Sequence, residues 1–142
     1  MNSVPESGEV PDPPTLTPYL IVDNGPAALR WYAEVLDGHR RGEPYLGPDG
    51  KIGHAELAIG NSVSMLAEEG PQSPPSPKTL GGTCMRVHVQ VADADRTVAR
   101  AVAADARLVR PVRQEPYGAV GVFDDPFGHS WLVNTPPAGS GG

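Results

Sequence analysis

The chain has little of several residue types that mark large protein classes. Its single cysteine, Cys84, cannot form an internal disulfide, which fits a reducing compartment. Its 11 Lys and Arg against 17 Asp and Glu, without a basic cluster, argue against a nucleic-acid partner. No apolar run approaches the roughly 18 residues of a membrane span, and no signal peptide is recognisable. These absences predict a soluble, cytoplasmic protein with neither a membrane nor a nucleic-acid partner.

Glycine and proline, in contrast, are abundant at 17 residues each and concentrate in three segments. They predict a disordered leader over 1–14, a linker over 70–82 and a flexible tail over 136–142, since such stretches bury too little apolar surface to offset chain entropy. Two blocks remain, 15–69 and 83–135. A length of 142 residues suits one domain built from both.

Both blocks repeat one order of elements. Each opens with an alternating strand, "TLTPYLIVD" or "TCMRVHVQVAD", and continues into a helical pattern. Asn24 is the expected N-cap of the first helix and Gly38 its stop, while Asp93 or Asp95 caps the second. Short strands follow at about 39–46, 52–59 and 62–68, and again at about 107–113, 118–124 and 129–135. The order β-α-β-β-β, found twice, predicts an α+β fold of two modules.

Alternation along each strand separates an apolar, helix-facing side from a mixed side. The predicted helix-facing residues are Leu16, Leu20, Val22, Ala55, Leu57, Ile59, Val63, Met65, Ala67, Met85, Val87, Val89, Val91, Trp131 and Val133. The opposite side carries hydroxyl, amide, aromatic and charged groups, the mixture found in small-molecule sites. The same mixture also suits a sheet face that is open to water.

The segment "FDDPFGHSWLVN", residues 123–134, resembles the closing motif of the vicinal oxygen chelate superfamily of glyoxalases, bleomycin-resistance proteins and extradiol dioxygenases. "PYLIVDNGPAALRWYAEVLDGHRR" resembles its first βα unit, and "DGKIGHAELAIGNSVSMLAEE" resembles its PhnB-like branch. The resemblance covers about 15–135. It implies two βαβββ modules whose curved mixed sheets enclose a pocket, and it implies a homodimer.

Metal-dependent members of this superfamily carry His, Gln or Glu at four equivalent strand positions. The matching residues in this chain are Thr17, Ser64, Arg86 and Leu132. Leu132 has no donor atom and Arg86 would repel a cation, so the resemblance implies that the usual metal site is absent, and we expect no cofactor. A displaced site of His54, Glu56 and His88 is the alternative, and it would support a metal-dependent lyase, isomerase or dioxygenase.

The resemblance is strongest to the metal-free, drug-binding resistance proteins. It therefore implies a non-catalytic protein that sequesters an antibiotic of the bleomycin, mitomycin or aromatic peptide type, with a planar aromatic or cationic ligand as its partner. No catalytic residues are assigned. The predicted ligand-binding residues are Tyr19, Tyr45, His54, Glu56, Ser64, Arg86, His88, Gln90, Arg113, Tyr117 and Phe123. Arg113 and Tyr117 belong to residues 110–126, whose prolines and glycines predict a loop at the pocket edge.

Overall fold

The computed structural model describes residues 14–139. Its contacts divide the chain into two compact units, the first ending at Thr79 and the second beginning at Leu80. Each unit contains a mixed sheet and one long helix, which confirms the predicted α+β fold of two βαβββ modules with curved sheets. Most of the predicted leader, residues 1–13, and the end of the predicted tail, 140–142, lie outside the described residues. Within 14–139, no helix combines the length and the hydropathy needed to cross a membrane.

The first unit ends with a short helix at the boundary between the units. Its elements are β1 (Tyr19–Val22), α1 (Gly25–Leu36), β2 (His39–Arg40), β3 (Tyr45–Leu46), β4 (Ile52–Ile59), β5 (Ser62–Glu68) and α2 (Pro77–Leu80). The strands are ordered β1-β5-β4-β2, β3 also pairs with β4, and β1 is parallel to β5. The strand expected over 39–46 is instead two short strands, because Gly42 between them has a φ of 70° that an extended strand does not accommodate.

Helix α1 begins where the sequence predicts but ends one residue earlier. The side chain of Asn24 accepts a hydrogen bond from the Ala27 amide at 3.1 Å, as expected of an N-cap. The left-handed residue after the helix is Asp37, with a φ of 54°, and not Gly38. Gly38 favours close packing, since a Cβ there would lie 3.2 Å from the carbonyl oxygen of Tyr32, a tight contact. Residues spaced three or four positions apart form a buried apolar stripe on α1: Ala28, Trp31, Tyr32, Val35 and Leu36.

The second unit is a four-stranded sheet with a helix on one face. Its elements are β6 (Arg86–Gln90), α3 (Ala94–Ala103), β7 (Arg107–Glu115), β8 (Gly118–Asp124) and β9 (Ser130–Thr135). The strands are ordered β6-β9-β8-β7, with β6 parallel to β9 and the other pairs antiparallel. Asp93 is the N-cap of α3 and accepts from the Arg96 amide at 3.1 Å, while Asp95 lies inside the first turn.

The register of the first sheet shows that one predicted face assignment is wrong. Strands β4 and β5 are joined by a two-residue turn in which Gly60, with a φ of 58°, takes the first central position, where type II′ turns favour glycine. Leu57 is therefore paired with Ser64, and Glu56 with Met65. Directly paired residues lie on the same face of a sheet. Ser64 thus belongs to the helix-facing side, and Met65 belongs to the opposite side.

The two faces of the first sheet consequently differ from the prediction along β5. The helix side contains five apolar residues that are at most 3% exposed, namely Leu20, Val22, Ala55, Leu57 and Leu66. The opposite side, here called the helix-free face of the first sheet, contains Tyr19, Ile21, His54, Glu56, Ala58, Val63, Met65 and Ala67. Leu16 precedes β1 and is 84% exposed, so it does not join the buried set.

In the second sheet, the predicted alternation of β6 is confirmed. Val87 pairs with Trp131 and Val89 with Val133. Their face is the one covered by α3, since a Cβ on Gly121, which pairs with Val133, would lie 3.1 Å from Val98 of the helix. The opposite side, the helix-free face of the second sheet, contains Arg86, His88, Gln90, Val120, Val122, Ser130, Leu132 and Asn134. Met85 precedes β6 and is exposed, so its predicted helix-facing position is wrong.

Residues 110–126 form a hairpin rather than the predicted loop. Strand β7 runs through Pro111 to Glu115, and only a short turn separates it from β8. Proline is accommodated because β7 is an edge strand and its register shifts between Arg110 and Arg113. Gly118 in turn permits close approach, since a Cβ there would lie 2.1 Å from the carbonyl oxygen of Thr135.

The segment predicted as a linker, 70–82, contains an anchored part. The amide of Ser76, a fully buried residue, donates to the carboxylate of Glu69 at 2.7 Å. The hydroxyl of Thr79 donates to the same carboxylate at 2.8 Å. These hydrogen bonds hold the pKa of Glu69 below its usual value. The hydrogen bond from the Ser76 amide has the largest effect. Glu69 therefore ties α2 to the end of β5.

Candidate functional site

A chain of four hydrogen-bonded side chains lies in the first unit. The hydroxyl of Tyr19 on β1 is 2.8 Å from Nδ1 of His54 on β4. The other imidazole nitrogen, Nε2, is 3.2 Å from Oε2 of Glu56, two residues further along the same strand. Oε1 of Glu56 accepts from the guanidinium of Arg41 at 2.9 Å. We call this set the Tyr19–Arg41 chain.

The first three members of the Tyr19–Arg41 chain are residues that the sequence predicts, and their proximity follows from strand alternation. Tyr19, His54 and Glu56 are all on the helix-free face of the first sheet. Arg41 is not among the predicted site residues. The sequence predicts a single strand over 39–46, whereas Arg41 directly follows the short strand β2. The pairing of Arg40 with Leu57 puts Arg41 opposite Glu56, and the Arg41 amide donates to the Glu56 carbonyl at 2.8 Å. The register of β2 would have identified it.

The Tyr19–Arg41 chain has an inner and an outer end. Tyr19 is 46% exposed, whereas the side chains of Glu56 and Arg41 are 30% and 28% exposed. The rings of Tyr19 and His54 meet edge to face, with centroids 5.7 Å apart. Partial burial raises the pKa of Tyr19, so near neutral pH this residue is a neutral phenol. An incoming molecule therefore meets a neutral hydroxyl beside the rings of Tyr19 and His54.

The positions that hold metal in relatives need one correction. Tyr19, two residues after Thr17, pairs with Met65, and His88, two residues after Arg86, pairs with Leu132. Met65, not Ser64, is therefore the counterpart of Leu132. A thioether, a hydroxyl, a guanidinium and a leucine do not form a donor set for a divalent cation. The residues of this chain do not fit the metal of the family.

The displaced metal site of the alternative interpretation is not assembled by the first unit. Both nitrogens of His54 already have partners, Tyr19 and Glu56, so the ring has no nitrogen left for a metal. His88 is an exposed residue of β6 in the second unit. Among residues 14–139, no three His, Cys, Asp or Glu side chains are grouped so that they could hold a metal ion.

The helix-free face of the second sheet carries predicted site residues along one edge. Arg86, His88 and Gln90 on β6 are exposed, and Nε of Arg86 lies 3.4 Å from the Ser130 hydroxyl. At the other edge, Arg110 and Arg113 pair in register with the buried residues Val122 and Val120. Arginine thus borders this face on both sides of an apolar centre.

The remaining predicted site residues lie elsewhere. Ser64 is buried on the helix side, where its hydroxyl donates to the Met65 carbonyl at 3.1 Å. Phe123 is fully buried and paired with Trp131 on the side of α3, so it belongs to the core. Tyr117 is an exposed residue of the β7–β8 turn, and Arg113 is ion-paired with Glu115 at 2.8 Å.

Tyr45 lies beside a surface groove of the first unit. The groove has a volume of about 570 Å³, and its lining includes Tyr45, Asp49, Lys51, Ile52, Glu68 and Gln72. Tyr19, His54 and Glu56 are not part of this lining. The groove and the Tyr19–Arg41 chain are therefore two separate features of the unit.

The "DPFGH" segment has a structural explanation. The carboxylate of Asp125, which is 4% exposed, accepts from the amides of Phe127 and His129 at 2.9 Å and 3.0 Å. Its second oxygen accepts from Nε1 of Trp131 at 2.8 Å. One buried carboxylate thus closes the turn and fixes the core tryptophan. Asp125, a residue of the recognisable motif, thus has a structural role in the second module.

Comparison with known proteins identifies the family. Residues 15–133 match the Glyoxalase/Bleomycin resistance protein/Dioxygenase superfamily, so the chain belongs to this superfamily and the predicted resemblance is confirmed. An uncharacterized protein of Mycobacterium tuberculosis is 37% identical over 128 residues, which cover 87% of this chain and 75% of the relative.

Solved structures agree with this fold. TioX from Micromonospora sp. ML1 is 27% identical, with a TM-score of 0.63, over 88% of this chain and 98% of its own. The PhnB protein from Bacillus cereus has a TM-score of 0.66 at 17% identity, over 86% of this chain and 99% of its own, which shows the fold alone.

Proposed function

We propose that the protein binds a small organic molecule without a metal ion and withholds it from its target. The observation that carries this proposal is the Tyr19–Arg41 chain, which ends in the half-exposed residue Tyr19. A hydrogen-bonded network with a phenol at its open end is suited to recognition, because the inner members hold the outer one in place. We propose the helix-free face of the first sheet as the principal binding surface. Independently, we propose Arg86, His88 and Gln90 as ligand contacts on the helix-free face of the second sheet.

The chemistry of these faces favours a planar, aromatic ligand. Tyr19 offers a ring beside its in-register partner Met65, and both groups pack well on flat aromatic bodies. The net charge of −6 would attract a cation at long range. Within the Tyr19–Arg41 chain, however, the Glu56 carboxylate is already paired with the Arg41 guanidinium at 2.9 Å, so this set holds no unpaired carboxylate for a cation. We therefore favour a neutral aromatic ligand over the cationic one that the sequence also allowed.

Drug sequestration is the role that best fits such a protein. The superfamily is named in part for bleomycin resistance. Sequestration requires affinity and abundance but no chemical step, which agrees with donor-poor residues at the positions that hold metal in relatives. We further propose a homodimer in the cytoplasm. Light scattering on the purified protein would test the oligomeric state, and a monomer at micromolar concentration would contradict it.

A thermal-shift screen tests this function. The panel contains bleomycin, mitomycin and aromatic peptide antibiotics, with Tyr19→Phe and His54→Ala compared with wild type. A ligand at 100 times its dissociation constant should raise the unfolding free energy by about 2.7 kcal/mol. We expect a shift in wild type that both variants reduce, while Glu43→Gln, an exposed member of the Arg40–Glu43 ion pair, keeps it. If no compound shifts the wild type, drug binding is contradicted.

A further inference from the structure

We propose that Tyr19 offers its ligand a hydrogen-bond acceptor, so that the first sheet selects planar molecules carrying an N–H or O–H donor. This inference rests on the proposed function, because it specifies the ligand that the same surface recognises. It concerns a specificity that residue types alone do not reveal. A tyrosine hydroxyl can donate or accept, and its partners decide which of the two remains available.

The first step is the protonation of Nε2 of His54. A carboxylate only accepts hydrogen bonds, and both oxygens of Glu56 are engaged. Oε1 accepts from the Arg41 guanidinium at 2.9 Å, and Oε2 faces Nε2 of His54 at 3.2 Å. Paired with the guanidinium, which always carries its charge, Glu56 takes part in these contacts as a carboxylate. The imidazole nitrogen that faces Oε2 must therefore carry the proton.

The second step fixes the direction of the hydrogen bond between His54 and Tyr19. A neutral imidazole carries one proton, and Nε2 holds it, so Nδ1 is an acceptor. The Tyr19 hydroxyl at 2.8 Å must then donate to Nδ1. Its only proton is used in this contact. The oxygen retains acceptor capacity alone, and an incoming molecule must supply the next proton.

The selectivity follows from the cost of an unmatched contact. A ligand with a phenol or an amide N–H next to the Tyr19 oxygen completes the Tyr19–Arg41 chain by one further hydrogen bond. An ether or a ketone in the same place brings two acceptors together, without a proton between them, and loses that bond. Arg41 and Glu56 thus act as positioning residues, although they lie at the far end from the ligand.

The first test needs no ligand. Long-range proton–nitrogen NMR correlations at pH 8 identify which nitrogen of His54 is protonated. We expect the Nε2–H tautomer in wild type and in Tyr117→Phe, a control that removes the hydroxyl of an exposed tyrosine in the second unit. Finding the Nδ1–H tautomer would overturn the inference and leave the proposed function untouched.

The second test uses phenol and anisole as probes, two rings that differ in the presence of a donor. We expect NMR titrations at pH 8 to show that wild type binds phenol roughly 2- to 10-fold more tightly, the value of one net hydrogen bond. The ratio should fall to about 1 in Tyr19→Phe and persist in Tyr117→Phe. Equal binding of both probes by wild type would refute the donor preference while supporting a ligand surface. If neither probe perturbs the helix-free face of the first sheet, the proposed function itself is contradicted.

Discussion

Nε2 of His54 lies 3.2 Å from Oε2 of Glu56, and the two residues are separated by a single position of β4. Alternation in a strand places residues i and i+2 on the same face. Glu56 therefore orients the imidazole through a local contact that depends on β4 alone. The partners on either side, Tyr19 and Arg41, come from elements distant in sequence. Their positions depend on the whole sheet.

Glu56→Gln should reverse the tautomer of His54. The amide oxygen of the glutamine would continue to accept from Arg41. The NH₂ group of the same glutamine would then face Nε2 of His54. Nε2 must then accept, so the proton moves to Nδ1, and the Tyr19 hydroxyl is free to donate to a ligand. We expect NMR to show the Nδ1–H form and the preference for phenol over anisole to disappear. The loss of two charge-assisted contacts should lower the unfolding free energy by about 1 kcal/mol.

The matched control for that variant is Glu43→Gln. Glu43 is also paired with an arginine, Arg40 at 3.2 Å, but its side chain is 87% exposed. We expect a change in unfolding free energy of a few tenths of a kcal/mol at most, roughly the value of an exposed ion pair. The tautomer of His54 should be unchanged. Equal effects of the two variants would show that the Glu56 contacts are as weak as surface ones.

The register of β5 predicts opposite consequences for two adjacent residues. Leu66 is 1% exposed on the helix side, and Met65 lies on the helix-free face. Leu66→Ala should lower the unfolding free energy by about 2–5 kcal/mol, since it leaves a cavity in the core. Met65→Ala should cost about 1 kcal/mol or less. Urea denaturation of both variants provides the measurement, and a larger effect at Met65 would show that the strand is shifted by one residue.

The wrong assignment of the two faces of β5 shows what alternation alone does not predict. The period of two is visible in "SVSMLAE", but Leu66 and Met65 are both apolar, so hydrophobicity does not distinguish the two faces. The face depends on the turn, because a two-residue connection pairs Ile59 with Ser62. In β6 the alternation of valines with polar residues is unambiguous, and the predicted faces are correct.

The site was predictable to a similar degree. Alternation predicts that Tyr19, His54 and Glu56 share one face, but the register of β1, β5 and β4 is what brings Tyr19 close to the other two. Phe123 was not assigned to the core, because the glycines of β8 obscured its face. Gly121 is instead a contact point, since a Cβ there would lie 2.9 Å from Val112. The positions of Phe123 and Gly121 thus depend on tertiary packing, which the local sequence pattern does not indicate.

Asp125 should be among the most sensitive polar residues of the chain. Asp125→Ala removes the acceptor of three hydrogen bonds and leaves the buried Nε1 of Trp131 without that partner. We expect the unfolding free energy to fall by roughly 3 kcal/mol or more. The control is Asp105→Asn, because Asp105 is exposed with a φ of 76°, and asparagine tolerates that conformation. A loss below about 1 kcal/mol for Asp125→Ala would contradict the role of this carboxylate.

Glu69 should make stability depend on pH. Its pKa is lowered in the folded protein, chiefly by the Ser76 amide, so folding favours the ionised form. The resulting stabilisation is complete above the unfolded value, about 4.3, and is lost as pH falls through the lower folded value. Wild type should exceed Glu69→Gln in urea midpoint at pH 7, and the difference should shrink toward pH 3. A difference independent of pH would show that the charge of Glu69 is not involved.

Metal content separates the binding protein from the enzyme that the sequence left as an alternative. Thr17, Met65, Arg86 and Leu132 offer no suitable donor set, and both nitrogens of His54 have partners. We expect protein purified without chelator to contain well below one equivalent of metal per chain, and ligand binding to survive EDTA. Stoichiometric metal that is lost in His54→Ala would reverse this conclusion, since only a site containing that imidazole would lose its ion. The control is His39→Ala, an exposed residue of β2. Metal lost in both variants would indicate nonspecific binding to surface histidines and would leave the metal-free interpretation in place.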